Sequence, residues 1–180
     1  MTNDFSKIMV NETRGRKIAD LYMAAPDWDP TPETVASYDA FIAETARQYD
    51  AMIHSGLNVI FQDDDPYADA EEMFADAASG TLRVYRTRDG EDHPYHTNRQ
   101  NDVFRAVHDY YGHFGSGRNF SRHGEEAAWT KHSRMYTPLA RRAMTTETRG
   151  QNSAFIFALG GLTFPTQKFT LLPAWVADLA

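Results

Sequence analysis

The chain has 180 residues, 42% of them hydrophobic and 13% aromatic, and carries a formal charge of −7 with seven histidines and no cysteine. That length and composition suit one domain with a substantial core, and the lack of cysteine excludes disulfides, thiolate metal sites, iron–sulfur clusters and a cysteine nucleophile. No apolar run is long enough for a membrane span, Met1 to Val10 lacks the apolar stretch of a secretory signal, and the negative charge argues against general affinity for a nucleic-acid backbone, so a cytoplasmic, membrane-free protein is expected.

Residues 1–30 show weak periodicity and read as an N-terminal arm, with residues 31–180 forming one compact, mainly helical domain with a small β component, an α+β class. A helix is predicted from about Pro32 to Ser55: Thr31 is a good N-cap, Pro32 fits the first position, and Val35, Tyr38, Phe41, Ile42, Thr45, Tyr49, Met52 and Ile53 form one apolar stripe. Gly56 closes it. Leu57 to Gln62 reads as a strand, Ala68 to Ala78 as a helix and Leu82 to Thr87 as a second strand, with the direction of pairing open. Three helices follow, Asn101 to Gly112 with Asn101 as a cap, Gly124 towards Tyr136, and Leu139 to Gln151. The tail reads as loop, with Trp175 as an anchor.

The histidines concentrate between residues 93 and 132. His108 and His113 stand at the end of a predicted helix, and neutral imidazole is a common metal ligand. Positions five apart differ by about 140° on a straight α-helix, so both reach one ion only if the helix distorts or ends between them, which Gly112 allows. The alternative is a core histidine under Phe104 and Tyr111 with a polar helix-terminal neighbour. Glu125 and His132, seven apart, lie on one helical face with Trp129 between them and could act as ligands or as partners of ligands. The run Thr145 to Ser153 is polar yet lies between apolar stretches, so it is either a surface turn or a buried polar site. A buried Glu147–Arg149 pair costs several kcal/mol in desolvation unless well satisfied. Two histidines and one carboxylate form the facial triad of non-haem iron(II) oxygenases, and catalytic zinc uses the same set. No nucleophile elbow, P-loop or Gly-x-Gly-x-x-Gly occurs.

The segment His108-Asp109-x-x-Gly112-His113, followed 34 residues after His113 by Thr145-Thr146-Glu147, resembles the iron-binding segment of the pterin-dependent aromatic amino acid hydroxylases. The resemblance spans Phe104 to Gln151 and implies His108, His113 and Glu147 as iron ligands. No pterin-stacking or substrate-binding residue of that family can be placed here, so the pterin does not carry over. A longer pattern, from Phe104 through Gly124-Glu125 and Ala128-Trp129 to Ser153 and Gln167-Lys168, looks like a group of uncharacterised bacteriophage proteins, which implies a host-cytoplasm setting.

The sequence therefore predicts a metal-dependent enzyme, a mononuclear iron oxygenase or hydroxylase, with Fe(II) on His108, His113 and Glu147. Glu125 and His132 would hydrogen-bond to the ligands or replace one of them, Asp109 would orient a ligand imidazole, and Arg149 and Gln151 would bind substrate or pin Glu147. Tyr110, Tyr111, Phe114 and Trp129 would line the pocket. Arg118, Arg122, Lys131, Arg134, Arg141 and Arg142 leave room for a small anionic substrate. A zinc hydrolase using the same ligands is the alternative, and a phage structural or host-interaction module with a buried polar or structural metal site is a third. Oligomeric state is open.

Overall fold

A computed structural model describes residues Asp4 to Leu179. The first helix, α1 (Glu12–Ala24), begins at Asn11, whose side chain accepts from the Arg14 amide. It buries Ile18, Ala19 and Tyr22 against Ala154, Leu172 and Val176, so this part of the expected arm packs into the body. The long helix α2 (Pro32–His54) has Thr31 as its cap and Pro32 in its first turn, and it ends at Gly56, whose φ of 95° favours glycine. Its stripe supplies Tyr38 and Phe41 to a core shared with Phe104, Trp129, Met144 and Phe169. Each such large side chain contributes roughly 1.5–3 kcal/mol on burial.

Two strands, β1 (Asn58–Gln62) and β2 (Thr81–Tyr85), pair in parallel with Asn58 opposite Thr81, joined through helix α3 (Ala70–Ala78). A parallel pair needs such a crossover, because a tight turn can join only antiparallel strands. The fold is thus mainly helical with a small sheet.

The helix predicted at Asn101 starts earlier. Helix α4 (Asn98–Val107) is closed by a capping box in which Thr97 accepts from the Gln100 amide and Gln100 accepts from the Thr97 amide. Asn101 lies inside the helix instead, donating to Thr87. After Val107 the backbone becomes a π-helix from His108 to Phe114. Helix α5 (Arg122–His132) is capped by Ser121. Helix α6 (Pro138–Thr145) runs on through a π segment (Thr146–Gly150), a single α turn (Gln151–Ser153) and a second π segment (Ala154–Ala158). The polar run Thr145 to Ser153 is therefore buried helix rather than a turn: Thr145 to Gly150 are all buried. No helix among the described residues is long and apolar enough to cross a membrane.

Candidate metal centre

The π-helix resolves the spacing difficulty in the sequence. Its hydrogen bonds run from i to i+5, so residues five apart stack about one turn above each other, and His108 and His113 come to the same face. Their rings lie 5.2 Å apart, edge to face. Gly112 leaves room for this: a Cβ there would stand 3.1 Å from His108 Nδ1 and 3.3 Å from Ala128 Cβ.

Helix α5 brings Glu125 to the pair, with Oε1 3.4 Å from His113 Nε2 and Oε2 3.9 Å from His108 Nε2. One ligand atom from each of His108, His113 and Glu125 lies within 4.8 Å of the others. A second group meeting the same distance test is His93, His96 and Glu147. The set expected from sequence is thus divided, with Glu125 joining the two histidines and Glu147 standing with the other pair.

Hydrogen bonding distinguishes the two groups, because a metal needs a nitrogen with a free lone pair. His113 Nδ1 is 3.0 Å from the Arg118 carbonyl oxygen, which can only accept, so Nδ1 donates and Nε2 is left for a ligand. His132 Nε2 donates to Gln48 Oε1 at 2.9 Å, so His132 Nδ1 accepts from His108 Nδ1 at 3.1 Å. That leaves His108 Nε2 without a proton, buried, and with no hydrogen-bond partner. Each ring therefore turns Nε2 rather than Nδ1 towards Glu125.

His93 is held in the tautomer opposite to that of His108. Its Nδ1 accepts from the backbone amides of Tyr95 and His96, at 3.1 and 3.2 Å. Its ring proton therefore sits on Nε2, which donates to Glu147 Oε1 at 3.1 Å. The same oxygen accepts from Tyr38 Oη at 2.5 Å. His96 stacks on His93 at 3.6 Å, buried, with neither ring nitrogen partnered. This second group is a hydrogen-bonded carboxylate whose histidine offers a proton rather than a lone pair.

Electrostatics follow the same division. Burial by itself would lower the His113 pKa, but the charge and hydrogen bond of Glu125, with Asp109 and the Arg118 carbonyl, raise it to about 9. Burial would raise Glu125, yet His113 and His108 hold it well below the usual carboxylate range. Asp109 is pushed up to about 6 by burial, against the pull of His113 and His108. Burial pushes Glu147 up, and His93, His96 and Tyr38 more than offset this.

Of the metal candidates, His108 and Glu125 face a cavity of about 150 Å³, whose wall also includes Asn101, Asp109, Glu147 and Gln151. Tyr110, Tyr111, Phe114 and Trp129 do not line it. Tyr110 and Tyr111 pack on the core beneath the sheet, Phe114 meets Phe74, and Trp129 is buried with its Nε1 donating to Thr145. Arg149 is also turned away: it grips Glu126 through two nitrogens, donates to the Val176 carbonyl and lies 3.9 Å over the Trp129 ring. Of the two residues expected to pin Glu147 or bind substrate, only Gln151 reaches the cavity.

None of the six basic residues expected to favour an anion lines this cavity. Arg118 donates to the Phe5 and Ser6 carbonyls, Arg122 pairs with Glu12, Arg141 donates to the Ser133 and Tyr136 carbonyls, and Arg142 pairs with Glu33. Lys131 and Arg134 lie over the Phe5 ring. Residues the sequence did not single out include His93, His96, Tyr38 and Arg105. The signal for the first two was present in His93-Pro94-Tyr95-His96, inside the histidine-rich stretch.

No protein-family model matches this chain, and neither a curated protein nor a solved structure does.

Proposed function

We propose that the protein is a metal-dependent enzyme with a mononuclear site formed by His108, His113 and Glu125. The observation that carries this reading is the paired engagement of both Nδ1 atoms. Arg118 and His132 each occupy Nδ1 of one histidine, so that both Nε2 atoms are directed at the Glu125 carboxylate, beside a cavity walled in part by His108 and Glu125. Two histidines and one carboxylate on one side leave the remaining positions to the cavity, which is the arrangement of non-haem iron(II) oxygenases and hydroxylases. The chemistry such an iron supplies is dioxygen activation. The chain's own part is to bind and orient substrate through Gln151, Asn152 and Thr148, and to direct both ligand Nε2 atoms at the site, where a bound metal would take the place of the proton that His113 shares with Glu125.

A zinc hydrolase is the second reading, favoured by Asp109. This cavity-facing carboxylate, with its pKa raised to about 6, is suited to take a proton from an attacking water near neutral pH.

Metal analysis of the full chain, purified without a histidine tag, tests the proposal. About one iron per chain is expected, lost in His108→Ala, His113→Ala and Glu125→Gln and kept in Glu147→Gln. One zinc with the same variant pattern selects the hydrolase. A chain that binds no metal, or whose metal survives Glu125→Gln, overturns the site.

A further inference from the structure

Glu147 is 8% exposed, and only one of its carboxylate oxygens is engaged: Oε1 accepts from Tyr38 and His93, while no described residue donates to Oε2. The side chain forms part of the wall of the same cavity as Glu125 and His108. A buried carboxylate with one oxygen fixed by two donors and no donor on the other, in a side chain that walls a cavity, is an incomplete hydrogen-bonding site. Buried charges are found paired or coordinated. Among the described residues no lysine or arginine pairs with it: Arg149, two residues on, is committed to Glu126.

We propose that Glu147 is the anchor for a cationic nitrogen group, a primary ammonium or a guanidinium, on a small ligand entering this cavity. Three observations favour an organic cation with N–H donors over a second metal ion. The His93 tautomer removes it as a ligand, leaving His96, whose ring no hydrogen bond orients, as the one imidazole of this group beside Glu147. Nearby carboxamides, Gln151 and Asn152, can accept from further N–H groups. The approach is acidic: the cavity shares Arg105, Gln151, Phe164 and Gln167 with an outer cleft of about 740 Å³ that is also lined by Asp65, Glu91 and Asp92. Arg105, the cation at the junction, is tied back to the Tyr85 carbonyl and ring. Such a cleft concentrates cations and disfavours anions, which reverses the anionic substrate suggested by the arginine-rich sequence.

That this ligand is the substrate of the metal centre rests on the reading above. That Glu147 binds a cation does not. The experiment therefore uses the full chain and follows binding alone, from side-chain amide NMR signals of Gln151 and Asn152 during titration with n-butylammonium, 1-butanol and butyrate at pH 7. Saturable shifts are expected with n-butylammonium, with affinity at least tenfold above the other two. Glu147→Gln should lose at least tenfold and Glu147→Asp an intermediate amount, while Glu125→Gln, which abolishes the metal site, should keep ammonium binding. Equal binding of the three probes overturns the proposal without reference to any variant. So does an unchanged affinity in folded Glu147→Gln, or loss of a second metal equivalent in that variant. If ammonium binding survives in a chain that takes no metal, the metal reading fails and the cation site stands.

Discussion

The Nδ1 atoms of His108 and His132 lie 3.1 Å apart, and this single hydrogen bond decides which nitrogen of His108 faces Glu125. His132 is fully buried and is oriented in turn by Gln48. Partners of metal-bound histidines set both ring orientation and ligand basicity, and their loss typically costs 10–100-fold in metal affinity. His132→Phe should keep the ring volume and the fold, and should weaken metal binding by about that factor in competition with a chelator. An affinity equal to wild type would mean that His132 does not set the His108 tautomer.

Gly112→Ala should act on the same ring from the other side. The added methyl would sit 3.1 Å from His108 Nδ1 and 3.3 Å from Ala128 Cβ, tighter than ordinary van der Waals contact. Overpacking of this kind costs about 1–3 kcal/mol. The variant should melt lower than wild type and bind metal more weakly. Unchanged values for both would show that the π-helix accommodates a side chain at this position.

Two buried histidines should cost stability on mild acidification, while Asp109, whose pKa is raised to about 6, offsets part of that loss below pH 6. Burial lowers the His96 pKa from 6.5 to about 4, more than the opposing charge of Glu147 can restore, and His132 is also held well below its usual value. Below pH 6.5 the unfolded chain binds protons at these positions that the folded chain refuses. The contribution is therefore complete above 6.5 and is lost as pH drops towards 4. At about 1.4 kcal/mol per pH unit and group, His96 alone accounts for up to roughly 2–3 kcal/mol between pH 6.5 and 4.5, and the difference between wild type and His96→Phe separates it from carboxylates that titrate in the same window. Urea unfolding across that window should show the slope, and His96→Phe should reduce it. His113, raised to about 9, works in the other direction: in metal-free protein its contribution is full below pH 6.5 and disappears as pH rises through 9.

Arg149→Ala is expected to damage the fold rather than the site. It leaves Glu126 without its partner among the described residues, in a position where both side chains are largely buried, and it uncovers the Trp129 ring. Removing one member of such a pair costs about 3–5 kcal/mol, which for a chain of this size corresponds to a melting temperature lower by roughly 10 °C. Metal stoichiometry at saturating metal should stay at the wild-type value. A large loss of metal with little change in melting would place Arg149 in the site after all.

The limits of sequence reading are visible at particular residues. The helix from Pro32 was legible because its cap, its first-turn proline and its apolar stripe are local signals that agree. So was the pair of short strands around a helix, although not their parallel pairing. The start of α4 was misplaced onto Asn101, because Thr97 and Gln100 form the stronger cap and Asn101 is drawn inward by Thr87. Met1 to Asn3 of the expected arm lie outside the described residues, and the helix that follows packs on the tail, a contact between residues more than a hundred apart in sequence.

By itself the sequence determined the residue types available to the site: histidine and carboxylate without thiol, concentrated in one stretch, with a glycine placed where the helix must deform. Only the tertiary structure decided which carboxylate joins which histidines. A helix end and a carboxylate 12 residues from His113 and another 34 residues away are equally compatible with one ion as text. The π-helix turns His108 and His113 to one face, α5 delivers Glu125 there, and Tyr38 and His93 draw Glu147 to the other group. The choice also depends on which ring nitrogen carries a proton. That is set by the Arg118 carbonyl, by the chain from Gln48 through His132, and by two backbone amides at His93, none of which leaves a signature in the order of residues.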